Sequence, residues 1–142
     1  MAPNENLSKA YLMKAEDALS AASASISKEW RISAAYYSMY FSLYSILMKV
    51  GVKCENHSCT LAFARHFLKG YFSDEEMDFL NDSLKARVDA QYYVNREVSD
   101  EQYKRMLKQA PQIMAKCKSI VQQLTEEKIH IMRRNVLKAI KV

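Results

Sequence analysis

The segment LKARVDAQYY, residues 84–93, combines an arginine with several hydrogen-bonding side chains. Arg87 and Gln91 are four residues apart and would share one face of a helix, and Tyr92 follows in the next turn. A guanidinium group can hold a phosphate through paired hydrogen bonds, and a tyrosine can stack on a nucleobase or donate its hydroxyl. The pattern therefore indicates a site for a nucleotide or for RNA.

From the spacing alone, the more ordinary outcome is a structural role for Arg87, and the ligand site is the alternative. A buried arginine is ordinarily paired with a carboxylate, and Asp89 or Asp82 is near enough in the sequence to be that acid. Asp89 is also a candidate contact for a ligand, so the spacing leaves both interpretations open. The chain has no glycine-rich phosphate loop and no Ser/His/Asp order, which excludes the usual NTPase and hydrolase motifs.

A second group of chemically capable side chains surrounds His57, which we expect in a loop just before a helix. Its ordinary role there would be to cap the helix. With Cys54, Cys59 and His66 it offers four metal-binding side chains, but their spacing matches no common zinc pattern, so neither a metal nor a cofactor is expected. The three cysteines are odd in number and suggest no disulfide framework, which favours a reducing, cytoplasmic setting.

Helix start and stop signals predict an all-α protein, an antiparallel up-and-down bundle of four to five helices. Gly51 should end the second helix in a left-handed cap, Ser73 and Ser99 should open the fourth and fifth through capping boxes, and Pro111 should kink the fifth. The predicted helices cover about residues 4–24, 28–50, 58–69, 73–95 and 99–124, and a further helix begins after Thr125. The bundle thus occupies residues 1–124.

Residues 125–142 form a basic C-terminal helical extension in this prediction. Residues 101–142 contain ten Lys or Arg against three Asp or Glu, in a chain whose net charge is +5. Such a region suits a polyanionic partner, although basic helix faces are commonly only solvated. If the extension is an add-on, its removal leaves the bundle folded. If it contributes core residues (Met132, Val136 and Ile140), its removal collapses the fold.

The second predicted helix is apolar nearly all round. Residues 32–48 carry no charge, but their four serines and four tyrosines would be poorly satisfied in lipid, so we expect a buried helix of a soluble protein with no membrane contact. In so small a bundle no helix should be surrounded on all sides, and the excess apolar surface predicts a homodimer. The predicted interface residues are Tyr36, Tyr37, Tyr40, Phe41 and Tyr44.

Five ordered fragments within residues 5–123 resemble the small stand-alone HEPN proteins of prokaryotes. They are AAYYSMYFSLYSILMKVGV, HS at 57–58, FLKGYFS, RVDAQYY and QYKRMLKQAPQIMAKC. The resemblance implies a bundle of four to five helices that commonly dimerises and a nucleotide- or RNA-linked role. It also implies a nucleotidyltransferase partner in a toxin–antitoxin-like or defence pair.

The chain departs from the pattern of the HEPN ribonucleases, which resemble one another in an arginine followed four to six residues later by histidine. No arginine here has a histidine at that spacing. The small subfamily tends to read Arg, two residues, Ala, Asp, Tyr; Arg87, Ala90 and Tyr92 match, while Gln91 replaces the acid. Three hypotheses follow: a binding module, a weak metal-independent ribonuclease that uses Arg87 with His57 as a non-standard partner, and a scaffold without ligand.

Overall fold

The computed structural model describes residues 1–140, and six helices account for most of them. They are α1 (Glu5–Ala24), α2 (Lys28–Val50), α3 (His57–Phe67), α4 (Asp74–Tyr92), α5 (Asp100–Gln123) and α6 (Glu126–Ile140). No strand occurs in this part of the chain. The all-α fold is confirmed, with a helix count slightly above the four to five predicted for the bundle. Residues 141–142 of the predicted extension lie outside the described residues.

Local capping chemistry sets most of the helix boundaries. Ser73 accepts from the Glu76 N–H at 3.1 Å while Glu76 returns a bond to the Ser73 N–H, so the first predicted capping box is present. Ser99 accepts from the Gln102 N–H at 3.1 Å, but the Gln102 side chain does not return the bond, so the second box is only half formed. Gly51 has a φ of 87° and ends α2 as predicted.

Three boundaries differ from the prediction, and one of them is the end of α3, which is Phe67 rather than residue 69. Asn56 caps α3 through the Cys59 N–H at 2.8 Å, so His57 is the first helical residue rather than a loop residue. Helix α4 ends at Tyr92, before the predicted end near 95, because Tyr93 is already extended with φ −125° and ψ 115°. Residues 94 and 95 then form a turn, so the helix does not continue to its predicted end.

Helix α2 is the centre of the bundle. It contacts all five other helices, and 14 of its 23 residues are buried within a single chain. The expectation that no helix could be surrounded is therefore wrong. Among the residues predicted for a dimer interface, Tyr36 and Tyr40 are already buried, and Tyr37, Phe41 and Tyr44 are partly buried. The homodimer stays a prediction, now without this argument. No described helix has the length and apolar character needed to cross a membrane.

Helix α6 packs on the bundle. Ile129 is buried, Met132 and Val136 lie against the core, and Ile140 is exposed. The Arg133 Nη1 donates to the carbonyl oxygens of Met1, Val50 and Gly51 at 2.8, 2.9 and 3.2 Å. A cation at the carboxyl end of α2 satisfies carbonyl groups that have no helical partner. The extension is thus docked on the core rather than added beside it.

The cysteines also differ from expectation. Cys54 and Cys59 are joined in a disulfide, with their Cα atoms 5.6 Å apart, while Cys117 is buried and free. The chain turns back on itself just before α3, and this turn brings the two residues within bridging range. The expectation of no disulfide is wrong, and cysteine usage no longer argues for a reducing compartment.

Candidate functional site

Arg87 is nearly buried where α4 packs on α2. The residue is 8% exposed, and its Nη1 donates to the Tyr37 hydroxyl and to the Gln91 side-chain oxygen, each at 3.1 Å. Its Cζ lies 5.6, 5.3 and 5.8 Å from the ring centroids of Tyr36, Tyr37 and Tyr92. Aromatic rings attract a cation, but none of these groups carries a negative charge.

No carboxylate of the described chain pairs with this guanidinium. Asp89 instead bonds Arg96 at 3.3 Å, and Asp82 forms no ion pair within residues 1–140. The proposed structural pairing of Arg87 with either acid is therefore wrong. The Arg87 Nε is buried without a hydrogen-bond partner, and Nη2 also makes no hydrogen bond within the described residues but is not fully buried. A buried cation left without a counter-charge is costly, so an anion would fit here.

His57 lies in the same cluster, although it comes from a different helix. Its Nδ1 is 2.6 Å from the Tyr36 hydroxyl, and its ring stacks on Tyr40 with centroids 4.0 Å apart. Both His57 and Arg87 lie against the rings of Tyr36 and Tyr37. We call Arg87, Tyr36, Tyr37, His57 and Gln91 the Arg87 cluster.

The environment of the cluster sets the protonation of two of its members. Burial lowers the pKa of His57, and the positive charge of Arg87 lowers it further. Burial raises the pKa of the Tyr36 hydroxyl, against a smaller opposing effect of Arg87. At neutral pH His57 is uncharged and Tyr36 keeps its proton. The hydrogen bond between them can run in either direction, which leaves the His57 Nε2 as a proton acceptor or a proton donor.

The lowered pKa of His57 predicts a pH-dependent stability. Above its ordinary pKa of 6.5 the residue is neutral in both states; below that value the unfolded chain takes up the proton first. The free energy of unfolding should therefore fall as the pH falls from about 7 through the folded-state pKa. Denaturant unfolding of His57→Gln should show a flatter pH dependence over this range, whereas the exposed control His130→Gln should behave like the wild type. If the free energy of unfolding depends on pH in the same way for the wild type and both variants, the lowered pKa of His57 is contradicted.

The structure brings together four of the five predicted binding residues. Arg87, Gln91, His57 and Tyr92 converge, with Tyr92 64% exposed, while Asp89 points away to Arg96. Tyr36 and Tyr37 were not expected here: the sequence predicts them at a dimer interface. They lie beside the guanidinium because α2 packs on α4. The spacing of residues within a single helix cannot predict this contact between two helices.

The four side chains considered as metal ligands do not converge. Cys54 and Cys59 are bonded to each other, His57 contacts Tyr36, and His66 packs edge-on against Phe67 with ring centroids 4.6 Å apart. Within residues 1–140 no group of three or more His, Cys, Asp or Glu side chains is arranged to hold a metal ion.

Two open clefts adjoin the Arg87 cluster, and Gln91 lines both. One, of about 450 Å³, lies between the start of α2 and the segment after α4. There Arg96 stacks on Tyr93, with its Cζ 3.9 Å from the ring centroid. The other, of about 400 Å³, is walled by Trp30, Tyr37 and Phe41, and we call it the Trp30 cleft. Arg87 itself lines neither cleft, but its hydrogen-bond partner Gln91 borders both.

Comparison with known families agrees with the geometry. The model of the HEPN domain family matches residues 8–120, most of the chain and nearly the whole of the segment whose fragments carry the resemblance. No curated protein sequence is significantly similar. A match of this extent covers five of the six helices, including every residue of the Arg87 cluster. The chain therefore belongs to the HEPN domain family.

Proposed function

We propose that the Arg87 cluster binds a phosphate group of a nucleotide or of RNA. One observation carries the proposal: Arg87 is 8% exposed as a residue, and its guanidinium has only neutral partners within the described chain. Membership of the HEPN family agrees with a nucleotide- or RNA-related function in general. A phosphate would supply the missing counter-charge and accept the unused hydrogen bonds.

The unused edge of the guanidinium has the right shape for this ligand. Tyr37 and Gln91 occupy Nη1 and hold the plane of the group, which leaves Nε and Nη2 side by side. Two adjacent N–H donors match two phosphate oxygens. Nη2 is not fully buried, so a phosphate would reach it first, and pairing with the buried Nε as well would require a local rearrangement.

Thermal denaturation of the wild type with candidate ligands tests this proposal. Nucleoside phosphates or a short single-stranded RNA, in chelator, should raise the melting temperature, because a ligand at 100 times its Kd adds about 2.7 kcal/mol to the folded state. Nucleosides without phosphate should raise it far less. If no phosphate compound stabilises the protein, the proposal fails and the scaffold without ligand is favoured.

A weak metal-independent ribonuclease is the second candidate. It is favoured by the position of a neutral His57 in the Arg87 cluster, although the family spacing of arginine and histidine is absent. His57 would take the proton of the ribose 2′-hydroxyl, whose oxygen then bonds to the phosphorus while Arg87 stabilises the charge that grows on the phosphate. The bond from phosphorus to the 5′-oxygen breaks, and that oxygen leaves with a proton from His57 or from water.

Incubation with mixed RNA in chelator distinguishes cleavage from binding alone. If the protein cleaves, His57→Gln should slow the reaction by about 100-fold or more, as for loss of a general base, whereas the surface control His130→Gln should cleave normally. Retained cleavage by His57→Gln would exclude this mechanism. If the wild type binds RNA without cleaving it, the ribonuclease is excluded and the binding module is favoured.

The proposed biological setting is that of a binding module that works with a nucleotidyltransferase in a toxin–antitoxin-like or defence pair. Its support is family membership alone. A cytoplasmic location belongs to the same proposal, because nucleotides and RNA are found there. Co-expression with the product of a neighbouring nucleotidyltransferase gene should yield a co-purifying complex and relieve any growth arrest that the protein causes. Independent purification of both products would contradict the partnership.

We also propose a homodimer, in which the partner packs on the part of the α2 aromatic face that lies outside the Trp30 cleft, at Tyr44. Light scattering at micromolar concentration should report about twice the chain mass of 16.4 kDa. Tyr44→Glu should dissociate the dimer or cause aggregation, because an unpaired charge in an apolar contact costs several kcal/mol. Met13→Glu is the control, since Met13 is 66% exposed on α1. A wild type with the mass of one chain would refute the dimer.

A further inference from the structure

We infer that the Trp30 cleft binds the nucleobase of the ligand whose phosphate Arg87 holds. This inference rests on the proposed phosphate site and adds a second recognition element to it. The cleft measures about 400 Å³ and lies between α1 and α2, with Gln91 of α4 at its edge. Its lining includes three small residues, Ala18, Ala21 and Ala34, which leave space for a planar group beside the larger side chains.

Two residues connect this cleft to the phosphate site. Tyr37 and Gln91 line the cleft, and the same two side chains accept the hydrogen bonds of the Arg87 Nη1 at 3.1 Å. The cleft therefore lies beside the guanidinium, on its Nη1 side, and is separated from it by Tyr37 and Gln91. A nucleotide has the matching arrangement, since a charged phosphate and a flat, largely apolar base are joined by one sugar.

Trp30 is the wall best suited to a base. Its side chain is 63% exposed although it is large and apolar, and it stacks on no aromatic ring within the described residues. Exposed aromatic rings beside a cation are the usual platform on which proteins stack unpaired bases. The site would then accept a mononucleotide or an unpaired base of RNA and exclude a base held in a duplex.

A neighbouring depression supplies hydrogen-bonding groups for the edge of the base. It measures about 300 Å³, and its lining includes Glu29, Trp30, Ser33 and Gln91. The Gln91 side-chain oxygen already accepts from Arg87, whereas its amide N–H₂ group makes no hydrogen bond within the described residues. That amide is positioned to donate to a ring nitrogen or carbonyl of the base.

Trp30 is the only tryptophan of the chain, so its fluorescence reports on the cleft directly. The full-length protein should be titrated in chelator with a nucleoside monophosphate, a short single-stranded RNA and, as the probe without a base, ribose 5-phosphate. Stacking should quench the fluorescence with the first two and leave it unchanged with the third, which should also bind at least about tenfold more weakly. Trp30→Ala should weaken RNA binding by about tenfold or more, and Trp30→Phe should recover most of it.

Leu137→Ala is the matched control, because Leu137 is a 56% exposed apolar residue on α6. The RNA affinity of this variant should equal that of the wild type. If RNA binding depends on Arg87 but is unchanged in Trp30→Ala, the base cleft is refuted while the phosphate site stands. If no phosphate compound binds the wild type, both fail. If Trp30→Ala instead lowers the mass in light scattering and leaves affinity unchanged, a second copy of the chain covers Trp30, and the inference is overturned.

Discussion

Arg87→Met should abolish binding of phosphate ligands while its melting temperature stays within a few degrees of the wild type. Methionine keeps much of the apolar stem and its packing, but it removes the charge. The guanidinium has no carboxylate partner within the described chain, so the substitution strands no buried acid. The loss of the contacts with the aromatic rings lowers the free energy of unfolding, whereas removal of a buried charge raises it. Because the two effects oppose each other, the expected change in stability is small.

The effect on affinity should be large. Loss of a charged donor pair to a desolvated phosphate costs about 2–5 kcal/mol, or roughly 30- to 5,000-fold in Kd. Calorimetric melting measures the melting temperature, and RNA titration of the same preparation measures the affinity. The matched control is Arg65→Met, which removes the same charge from an exposed ion pair with Asp78 at 2.7 Å. A melting temperature far below the wild type for Arg87→Met alone would show that the arginine is structural.

Removal of residues 125–142 should destabilise the bundle strongly. Ile129 is buried, Met132 and Val136 pack on the core, and Arg133 caps the carboxyl end of α2. Loss of these contacts should cost roughly 3–6 kcal/mol, a large share of the 5–15 kcal/mol that holds a typical domain together. Thermal unfolding of the truncated chain should begin about 10–20 °C lower.

A single substitution separates the cap from the apolar contacts of α6. Arg133→Ala should lower the free energy of unfolding by about 2 kcal/mol, because it removes a charged donor from three carbonyl oxygens. Arg134→Ala, which changes an exposed neighbour, should be nearly neutral. If the truncated chain is as stable as the full protein, α6 does not contribute to the core and is a basic extension added to a complete bundle.

The sequence predicts features that depend on nearby residues. The boundaries of α2 follow from Ser27 and Gly51, and the capping box at Ser73 opens α4 where expected. The proximity of Arg87 and Gln91 also follows from one helical turn, which is why this part of the site is predictable. Each of these contacts spans at most four residues, so no knowledge of tertiary packing is needed.

Contacts between distant segments explain what the sequence does not predict. Whether α2 is covered by its own chain or by a second copy depends on how five other helices pack around it. His57 reaches the site only because α3 places it against Tyr36, which lies 21 residues earlier. Asp89 is the closest acid in the sequence, yet the turn after α4 gives it Arg96 instead. Spacing along the chain contains none of this information.

The most direct test of the central claim is calorimetric titration of a short single-stranded RNA, in chelator and at two salt concentrations, into wild type, Arg87→Met and Arg65→Met. We predict that the wild type and Arg65→Met bind with similar affinity, that Arg87→Met does not bind measurably, and that salt weakens the first two. Each phosphate contact contributes a slope of about −0.7 to the salt dependence with a single strand. Equal binding by all three proteins would contradict the assignment of Arg87 as the phosphate-binding residue.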